Sequence, residues 1–317
     1  MNSLNKKILF VVLGLFCLTP WIDAPVALLI GVLFSFILGN PFQKSTGKIT
    51  KYLLQFCVVG LGFGMDVYSA FKIGREGLVF TVCSIFLTLI LGILLGNIFK
   101  INKKISILIS SGTAICGGSA IAAVSPVVYA DEHETSISLA TIFILNSVAL
   151  FLFPFIGHLL HLSQEQFGLW AAIAIHDTSS VVGAAQHYGP QALEIATMVK
   201  MERALWIIPL SLVIIFTQKS ENPGGIKKIS IPYFIFIFLL AIVFNTFIPE
   251  YFPVFKVVDE YIVLIAKKGL TLTLFLIGAG LSLKSIRQVG AYPLIQGVLL
   301  WFFISILALG VILVTVG

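Results

Sequence analysis

Long apolar runs, separated by short polar stretches, dominate the chain. About 20 apolar residues suffice for a helix to cross a hydrocarbon layer of roughly 30 Å. The pattern therefore predicts an all-α, polytopic membrane protein with about eleven transmembrane helices. The predicted segments are residues 8–21, 24–40, 52–67, 77–99, 105–129, 136–160, 168–185, 191–217, 231–248, 258–283 and 291–316.

The basic residues orient these segments, because lysine and arginine concentrate in cytoplasmic loops. With a cytoplasmic N-terminus the inside loops carry the basic residues Lys44, Lys48, Lys51, Lys100, Lys103, Lys104, Lys219, Lys227, Lys228, Lys284 and Arg287. Lys72 and Arg75 are exceptions. The acidic stretch 131–134, the 249–256 loop and the C-terminus then lie outside. We expect a multi-pass protein of the cell (inner) membrane.

Composition agrees with a membrane protein. Of the 317 residues 58% are hydrophobic and 11% are charged, against about 25% charged in soluble domains. The net charge of +6 follows from the basic loops and does not indicate nucleic acid. Residues 1–317 form one predicted domain. Cys17, Cys57, Cys83 and Cys116 form no CxxC pair, so we expect no metal, no disulfide framework and no cofactor.

The first apolar segment follows Asn5-Lys6-Lys7 and has two interpretations. A basic start and a short apolar run are also the marks of a signal peptide. Ala24 is the plausible cleavage point, but Pro25 follows it directly. We therefore interpret the segment as a retained first helix.

A weak internal repeat relates two Gly-rich stretches. Residues 62–66 and Gly74 match residues 278–282 and Gly290 at a constant offset, and an apolar helix follows each copy. In the topology above the copies run in opposite directions, which is the pattern of an inverted repeat. The alternative is a chance similarity between Gly-rich helices.

Two apolar segments, residues 110–121 and 174–183, are interrupted midway by small, polar or charged residues. Non-helical backbone at membrane depth is tolerated only inside protein or beside a watery cavity, and free N–H groups at a half-helix N-terminus attract anions. We expect two broken helices around an anion site; the alternative is close packing through small residues. The candidate substrate-binding residues are Ser111, Gly112, Thr113, Cys116, Gly117, Gly118, Ser119, Thr178, Ser179 and Ser180.

Charged residues complete the candidate site. His176-Asp177 lies in mid-span, where an aspartate costs about 2.5–3.5 kcal/mol, so we interpret the pair as the ion-coupling group; the alternative is an ion-paired structural aspartate. Lys200, Glu202 and Arg203 follow as candidate partners. Lys200 and Arg203 share one helix face, so they either contact the substrate, neutralise Asp177 or lie at the membrane interface. Asp66 is expected at an interface, and Asn146 is either a packing residue or a ligand contact.

The stretches 111–123 and 174–184, together with Lys200–Arg203, resemble the YeiH family of membrane proteins, also catalogued as UPF0324. The resemblance covers nearly the whole chain. It implies the fold of the cation–proton antiporter and anion transporter superfamily, with inverted repeats and two broken helices that cross at mid-membrane. It also implies a small sulfur oxyanion, such as sulfate or sulfite, as an exported substrate.

One feature of the predicted topology departs from that superfamily. Both broken segments run in the same direction, whereas inverted repeats require opposite directions. Three explanations remain open: one segment is a re-entrant loop, the helix count is wrong by one, or the repeats are arranged differently.

Three classes of function follow. The first is a secondary exporter of a sulfur oxyanion, coupled to protons or Na⁺, with the bilayer and a small anion as partners and a homodimer by analogy. The second is an uncoupled anion channel. The third is an intramembrane enzyme, which we do not expect, because neighbouring helix positions point in different directions. Its acid, base and nucleophile would come from His176, Asp177, Ser179 and Ser180. The chain has no P-loop motif for an ATPase.

Overall fold

The computed structural model of the chain describes residues 3–218, 233–252, 254–280 and 290–316, and these residues are almost entirely helical. The helices are α1 (Ser3–Phe16), α2 (Ala24–Leu38), α3 (Gln43–Gly62), α4 (Val67–Ile98), α5 (Lys103–Ala114), α6 (Gly118–Val124), α7 (Glu132–Leu159), α8 (Gln164–Ala174), α9 (Thr178–Tyr188), α10 (Pro190–Leu205), α11 (Ile207–Gln218), α12 (Tyr233–Tyr251), α13 (Val254–Gly280) and α14 (Ala291–Thr315). Every predicted apolar segment overlaps one or two of these helices.

The outer surface of the helices is apolar, as lipid requires. Within the described residues, five helices are long and apolar enough to cross a membrane, namely Phe80–Ile98 of α4, α7, α12, α13 and α14. Large apolar side chains such as Ile90, Phe155 and Val314 are exposed on them. In a membrane these side chains face lipid tails, so their exposure carries no penalty.

The helices form two bundles. The panel bundle contains α1, α2, α3, α12 and α13, and the hairpin bundle contains α4 to α11 and α14. Glycines bring α2 and α13 into backbone contact: a Cβ on Gly31 would meet the Phe275 carbonyl, and one on Gly278 the Leu28 carbonyl. Contact between the bundles is carried mainly by α9, which packs on α2 and α13. Smaller contacts join α4 to α12 and α2 to α7.

The segment predicted as a crossing helix at residues 105–129 is instead a re-entrant hairpin, here called hairpin 1 (α5 and α6). Its two ends lie together: the Lys104 Nζ donates to the Tyr129 carbonyl at 2.8 Å. The Asn102 side chain donates to the Glu134 carboxylate at 2.9 Å. The 12 residues of α5 span about 18 Å at 1.5 Å per residue, which reaches the middle of a 30 Å layer and no further.

The segment predicted at residues 168–185 is also a re-entrant hairpin, hairpin 2 (α8 and α9). The Tyr188 hydroxyl donates to the Leu162 carbonyl at 2.7 Å, and the Gln191 N–H donates to the Gln164 side chain at 2.9 Å. The end of α9 therefore returns to the start of α8. Both halves have 11 residues, again about half of a membrane.

Helix α14 shows that the hairpins enter from opposite faces. Near its start, Gln296 donates to the Ser106 hydroxyl at the entry of hairpin 1, at 2.8 Å. At its end, the Val316 carbonyl accepts from Gln166 at the entry of hairpin 2, at 2.6 Å. The 20 residues between Gln296 and Val316 measure about 30 Å along a helix, the thickness of the hydrocarbon layer. We call the side of hairpin 1 the lysine face, for Lys100, Lys103 and Lys104, and the other side the opposite face.

These observations correct the predicted topology. The acidic residues 131–134, expected outside, lie on the lysine face, where Lys104 and Glu134 form an ion pair at 3.5 Å. The loop between α7 and α8 lies on the opposite face instead. The two changes cancel, so α10 and α11 still run towards the lysine face. The hydropathy pattern predicted crossing helices at the two hairpins. A hairpin of two short apolar helices and a turn has as many apolar residues as one crossing helix, so the pattern does not distinguish them.

The hairpins supply the opposite directions that an inverted repeat needs. Ala114 and Ala174 end their first halves, and Gly118 and Thr178 begin their second halves, each 60 positions apart. The predicted Gly-rich repeat is tested only in part, because residues 281–289 lie outside the described residues. The basic loop residues Lys219, Lys227, Lys228, Lys284 and Arg287 lie outside them too.

Candidate functional site

The tips of the two hairpins meet inside the hairpin bundle. A Cβ placed on Gly117, in the turn of hairpin 1, would lie 3.1 Å from the Cβ of Asp177 and 3.2 Å from the His176 carbonyl oxygen. Gly117 also has φ +63° and ψ −122°, a region that residues with a side chain rarely adopt. Glycine is thus required here both for the turn and for the approach of hairpin 2.

Asp177 forms the turn of hairpin 2 by capping α9. Its carboxylate accepts the Ser180 N–H at 2.7 Å, the Ser179 hydroxyl at 2.6 Å and the Ser180 hydroxyl at 3.0 Å. This is the arrangement of an aspartate N-cap. The protein's own carboxylate therefore occupies the anion-attracting start of α9.

Lys200 and Arg203 bind the ends of the first half-helices rather than lying open to a substrate. The Lys200 Nζ donates to the carbonyls of Ile175, at 2.7 Å, and Ala172, at 3.2 Å, at the end of α8. The Arg203 guanidinium donates to the Ala114 carbonyl at the end of α5 and to the Ser84 hydroxyl at 2.9 Å. Both residues are fully buried. Helix C-termini are negative and carry unpaired carbonyls, so α10 neutralises both broken helices with cations one turn apart.

Three polar side chains at the tips have spare hydrogen-bonding groups among the described residues. His176 is fully buried, and neither ring nitrogen has a partner there; the Thr113 hydroxyl and the Asn146 amide nitrogen also have none. Asn146 is tied to hairpin 2, because its oxygen accepts the His176 N–H at 3.0 Å. Buried polar groups are normally paired, so these groups are available to a bound ligand or water.

The other predicted residues contribute less directly. The Ser111 hydroxyl donates to the Ile107 carbonyl of its own helix at 2.7 Å, and Ser119 is exposed. Cys116 and Thr178 are buried next to the turns. Gly112 and Gly118 pack against apolar side chains of α6 and α7.

Asp66 lies away from the tips, as the N-cap of α4. Its carboxylate accepts the N–H groups of Tyr68 and Ser69, both at 2.9 Å. The hydrogen bonds from the side chain and backbone of Ser69 lower the pKa of Asp66. This carboxylate therefore has a structural role.

Sequence reasoning missed Ser84 beside the site and named Glu202 without assigning it a role. Ser84 of α4 binds Arg203, and Glu202 faces a cavity between the bundles. Ser84 had no signal, because serine is common in packed membrane helices. Glu202 did have one, since a carboxylate in a membrane segment is functional by default. In the described part of the chain, no group of His, Cys, Asp and Glu residues could hold a metal ion.

Comparison with known proteins identifies relatives of the whole chain. The family model described as "Conserved hypothetical protein 698" matches residues 17–297. A UPF0324 membrane protein of Bacteroides thetaiotaomicron is 53% identical over 300 residues, which cover 94% of this chain and 89% of the relative. One of Porphyromonas gingivalis is 51% identical, with 93% and 88% covered, and one of Bdellovibrio bacteriovorus is 46% identical, with 99% and 97% covered. No solved structure matches.

Proposed function

Because the chain belongs to the UPF0324 family of membrane proteins, we propose that it is a secondary transporter that exports a small inorganic sulfur oxyanion such as sulfate or sulfite. Transport is coupled to protons or Na⁺, and the protein lies in the inner membrane with its N-terminus and lysine face in the cytoplasm. The observation that carries the proposal is the contact of two re-entrant tips, at Gly117 and Asp177, inside the hairpin bundle.

The tips offer what an oxyanion needs at membrane depth. The first N–H groups of α6 and α9 have no intrahelical acceptor, and hydroxyl, amide and imidazole groups lie beside them. The cations of α10 keep the negative ends of α5 and α8 from opposing an anion. Lys200 and Arg203 therefore support the anion site through the backbone and need not touch the anion.

Asp177 connects the anion to a proton or sodium ion. While its carboxylate is charged and free of a cation, it holds the Ser180 N–H and two serine hydroxyls and repels an anion. A proton or Na⁺ on Asp177 removes that repulsion and weakens those hydrogen bonds, so the same donors can turn to the oxyanion. Anion and coupling ion then bind together and cross together. A divalent anion with one cation carries a net negative charge, which an inside-negative membrane potential drives outward. His176, buried beside it, is the second proposed coupling group.

Flux in proteoliposomes tests the proposal. We expect saturable uptake of radiolabelled sulfite or sulfate by the purified protein. Uptake is expected to fall to the level of empty vesicles when His176→Ala and Asp177→Ala are combined. The pair His161→Ala with Glu165→Ala, exposed residues at the entry of hairpin 2, is the matched control and should leave flux unchanged. Flux that survives the His176/Asp177 pair, or single-channel currents in place of saturable uptake, would contradict the mechanism.

A further inference from the structure

A cavity of about 460 Å³ lies at the boundary between the two bundles. Met198, Met201 and Leu205 of α10 form one wall, Phe238 and Ile242 of α12 form the facing wall, and Phe71 of α4 contributes to the side. Helix α12 belongs to the panel bundle, whereas α4 and α10 belong to the hairpin bundle. Any movement of one bundle against the other therefore changes this cavity.

The charged residue in the cavity lining is Glu202. Both of its carboxylate oxygens are buried, and neither has a hydrogen-bond partner among the described residues. Helix α10 turns about 100° per residue, so Glu202 points away from the face on which Lys200 and Arg203 hold the hairpin tips. One helix thus presents cations to the transport site and a carboxyl group to the bundle boundary.

The surroundings of Glu202 favour its neutral form. Among the residues whose side chains the structure describes, the lining residues from α12 and α4 have no titratable side chain. The side chains of residues 72–79 of α4, which include Lys72 and Arg75, lie outside that set. The charged neighbour on its own helix is Arg203, whose guanidinium donates to Ala114 and Ser84. No ion pair involves Glu202 within the described part of the chain. A carboxylate without a partner in apolar surroundings is strongly disfavoured relative to a carboxylate in water.

We propose that Glu202 carries a proton across the bundle boundary in each transport cycle. It binds the proton while it faces α12 inside the cavity, and it releases the proton when the hairpin bundle moves and exposes it to water. The hairpin bundle can slide along α12 only with Glu202 neutral, because a bare carboxylate would have to cross an apolar surface. The inference rests on the proposed transport: Asp177 decides whether the anion binds at the tips, and Glu202 decides whether the loaded bundle moves.

Glu202→Gln separates movement from coupling. The glutamine has nearly the same shape and is permanently neutral, so the bundle remains able to move with the ion on Asp177 but carries one proton fewer in each cycle. In proteoliposomes, exchange of internal labelled sulfite for external sulfite at equal pH should stay within about two-fold of wild type. Accumulation driven by a pH gradient, imposed in each polarity, should fall about ten-fold or more. Glu202→Asp keeps a carboxyl group and should restore accumulation, while Glu165→Gln, an exposed control, should change neither mode.

A chemical readout tests the proton site without any substrate. Dicyclohexylcarbodiimide reacts with protonated carboxyl groups in apolar surroundings, and mass spectrometry locates the adduct. We expect Glu202 to react, with labelling that decreases from acidic to alkaline pH, and Glu165 not to react.

The outcomes separate the two proposals. A Glu202→Gln variant that accumulates sulfite like wild type, or a Glu202 that does not react at any pH, overturns the proton-carrier role. So does equal loss of exchange and accumulation in both Glu202→Gln and Glu202→Asp, which would mark a structural residue. Wild-type protein that moves neither sulfite nor sulfate, but whose Glu202 still reacts in a pH-dependent way, overturns the substrate and supports the proton site.

Discussion

At the scale of the residue, the buried charges at the hairpin tips act through helix ends. Lys200 and Arg203 neutralise the C-termini of α8 and α5, and Asp177 caps the N-terminus of α9. Each charge faces the partial charge of opposite sign that a helix end provides. These side chains therefore satisfy backbone groups at the helix ends that would be unfavourable if left unpaired inside the membrane.

Gly117 is the residue on which the meeting of the tips depends most directly. In Gly117→Ala the new Cβ would crowd Asp177, and the alanine would have to adopt the unfavourable φ of +63°. We therefore expect a loss of about 1–3 kcal/mol in the free energy of unfolding. Sulfite flux should fall as well, because the turn of hairpin 1 must shift. Denaturation of the purified protein in detergent, followed by helical circular dichroism, measures the change.

Gly310→Ala is the control for that substitution. Gly310 lies in α14 with open space around its Cα, and alanine there should be neutral or stabilising by up to about 1 kcal/mol. If Gly117→Ala is as stable as Gly310→Ala, the close approach of the tips is wrong.

At the scale of the element, the hairpins owe their stability to the helices that surround them. Helix α5 packs on α4 through small residues: a Cβ on Gly92 would meet the Ser110 hydroxyl, and one on Gly96 the Ser106 hydroxyl. Gln296 of α14 adds a hydrogen bond to the Gly92 carbonyl at 2.8 Å. Such small-residue contacts let membrane helices approach closely. They hold α5 in place although it spans only half of the membrane.

Labelling of single cysteines tests the hairpin topology. In a variant without the four native cysteines, Lys103→Cys and Asp131→Cys should react with a membrane-impermeant maleimide from the same side of the membrane. Ser163→Cys and Gln191→Cys should both react from the other side. The reason is that each pair joins the two ends of one hairpin. Helices that crossed the membrane at residues 105–129 and 168–185 would instead split each pair between the two sides.

At the scale of the whole molecule, the two bundles are joined through a limited boundary. Helix α9, the second half of hairpin 2, packs on α2 and α13 of the panel bundle. Movement at this boundary would carry the hairpin tips with it, since α9 begins at Asp177. This arrangement suits alternating access, in which one bundle moves against another around a central site.

A disulfide across the boundary tests that movement. A Cβ on Gly183 of α9 would lie 2.6 Å from a methyl carbon of Leu274 in α13, so Gly183→Cys with Leu274→Cys should form a bond on oxidation. We expect sulfite flux to stop and to return when the bond is reduced. The control, Gly14→Cys with Leu272→Cys, joins α1 and α13 within the panel bundle, where a Cβ on Gly14 would lie 3.5 Å from a methyl carbon of Leu272. Equal flux in the oxidised and reduced Gly183/Leu274 variant would exclude relative movement.

The sequence alone was sufficient for the membrane class, the helical segments and the position of both helix breaks. Hydropathy is a local property. A Gly-Gly or His-Asp pair within an apolar run disfavours a continuous helix at that position, so the sequence itself locates the break. The interruptions predicted within 110–121 and 174–183 are present, at Ile115–Gly117 and Ile175–Asp177. The sulfur oxyanion and the coupling ion stay predictions, because nothing in the described contacts distinguishes sulfate from sulfite.

Only the tertiary structure decided the path of the chain and the roles of its charges. Whether an apolar segment crosses the membrane or returns depends on which residues meet its far end, and Tyr129 and Lys104 meet only after folding. Whether Lys200 contacts an anion or a carbonyl depends on α8, which lies nearly 30 residues earlier in the chain. Such partners are set by packing between helices, which the local pattern of polar and apolar residues does not encode.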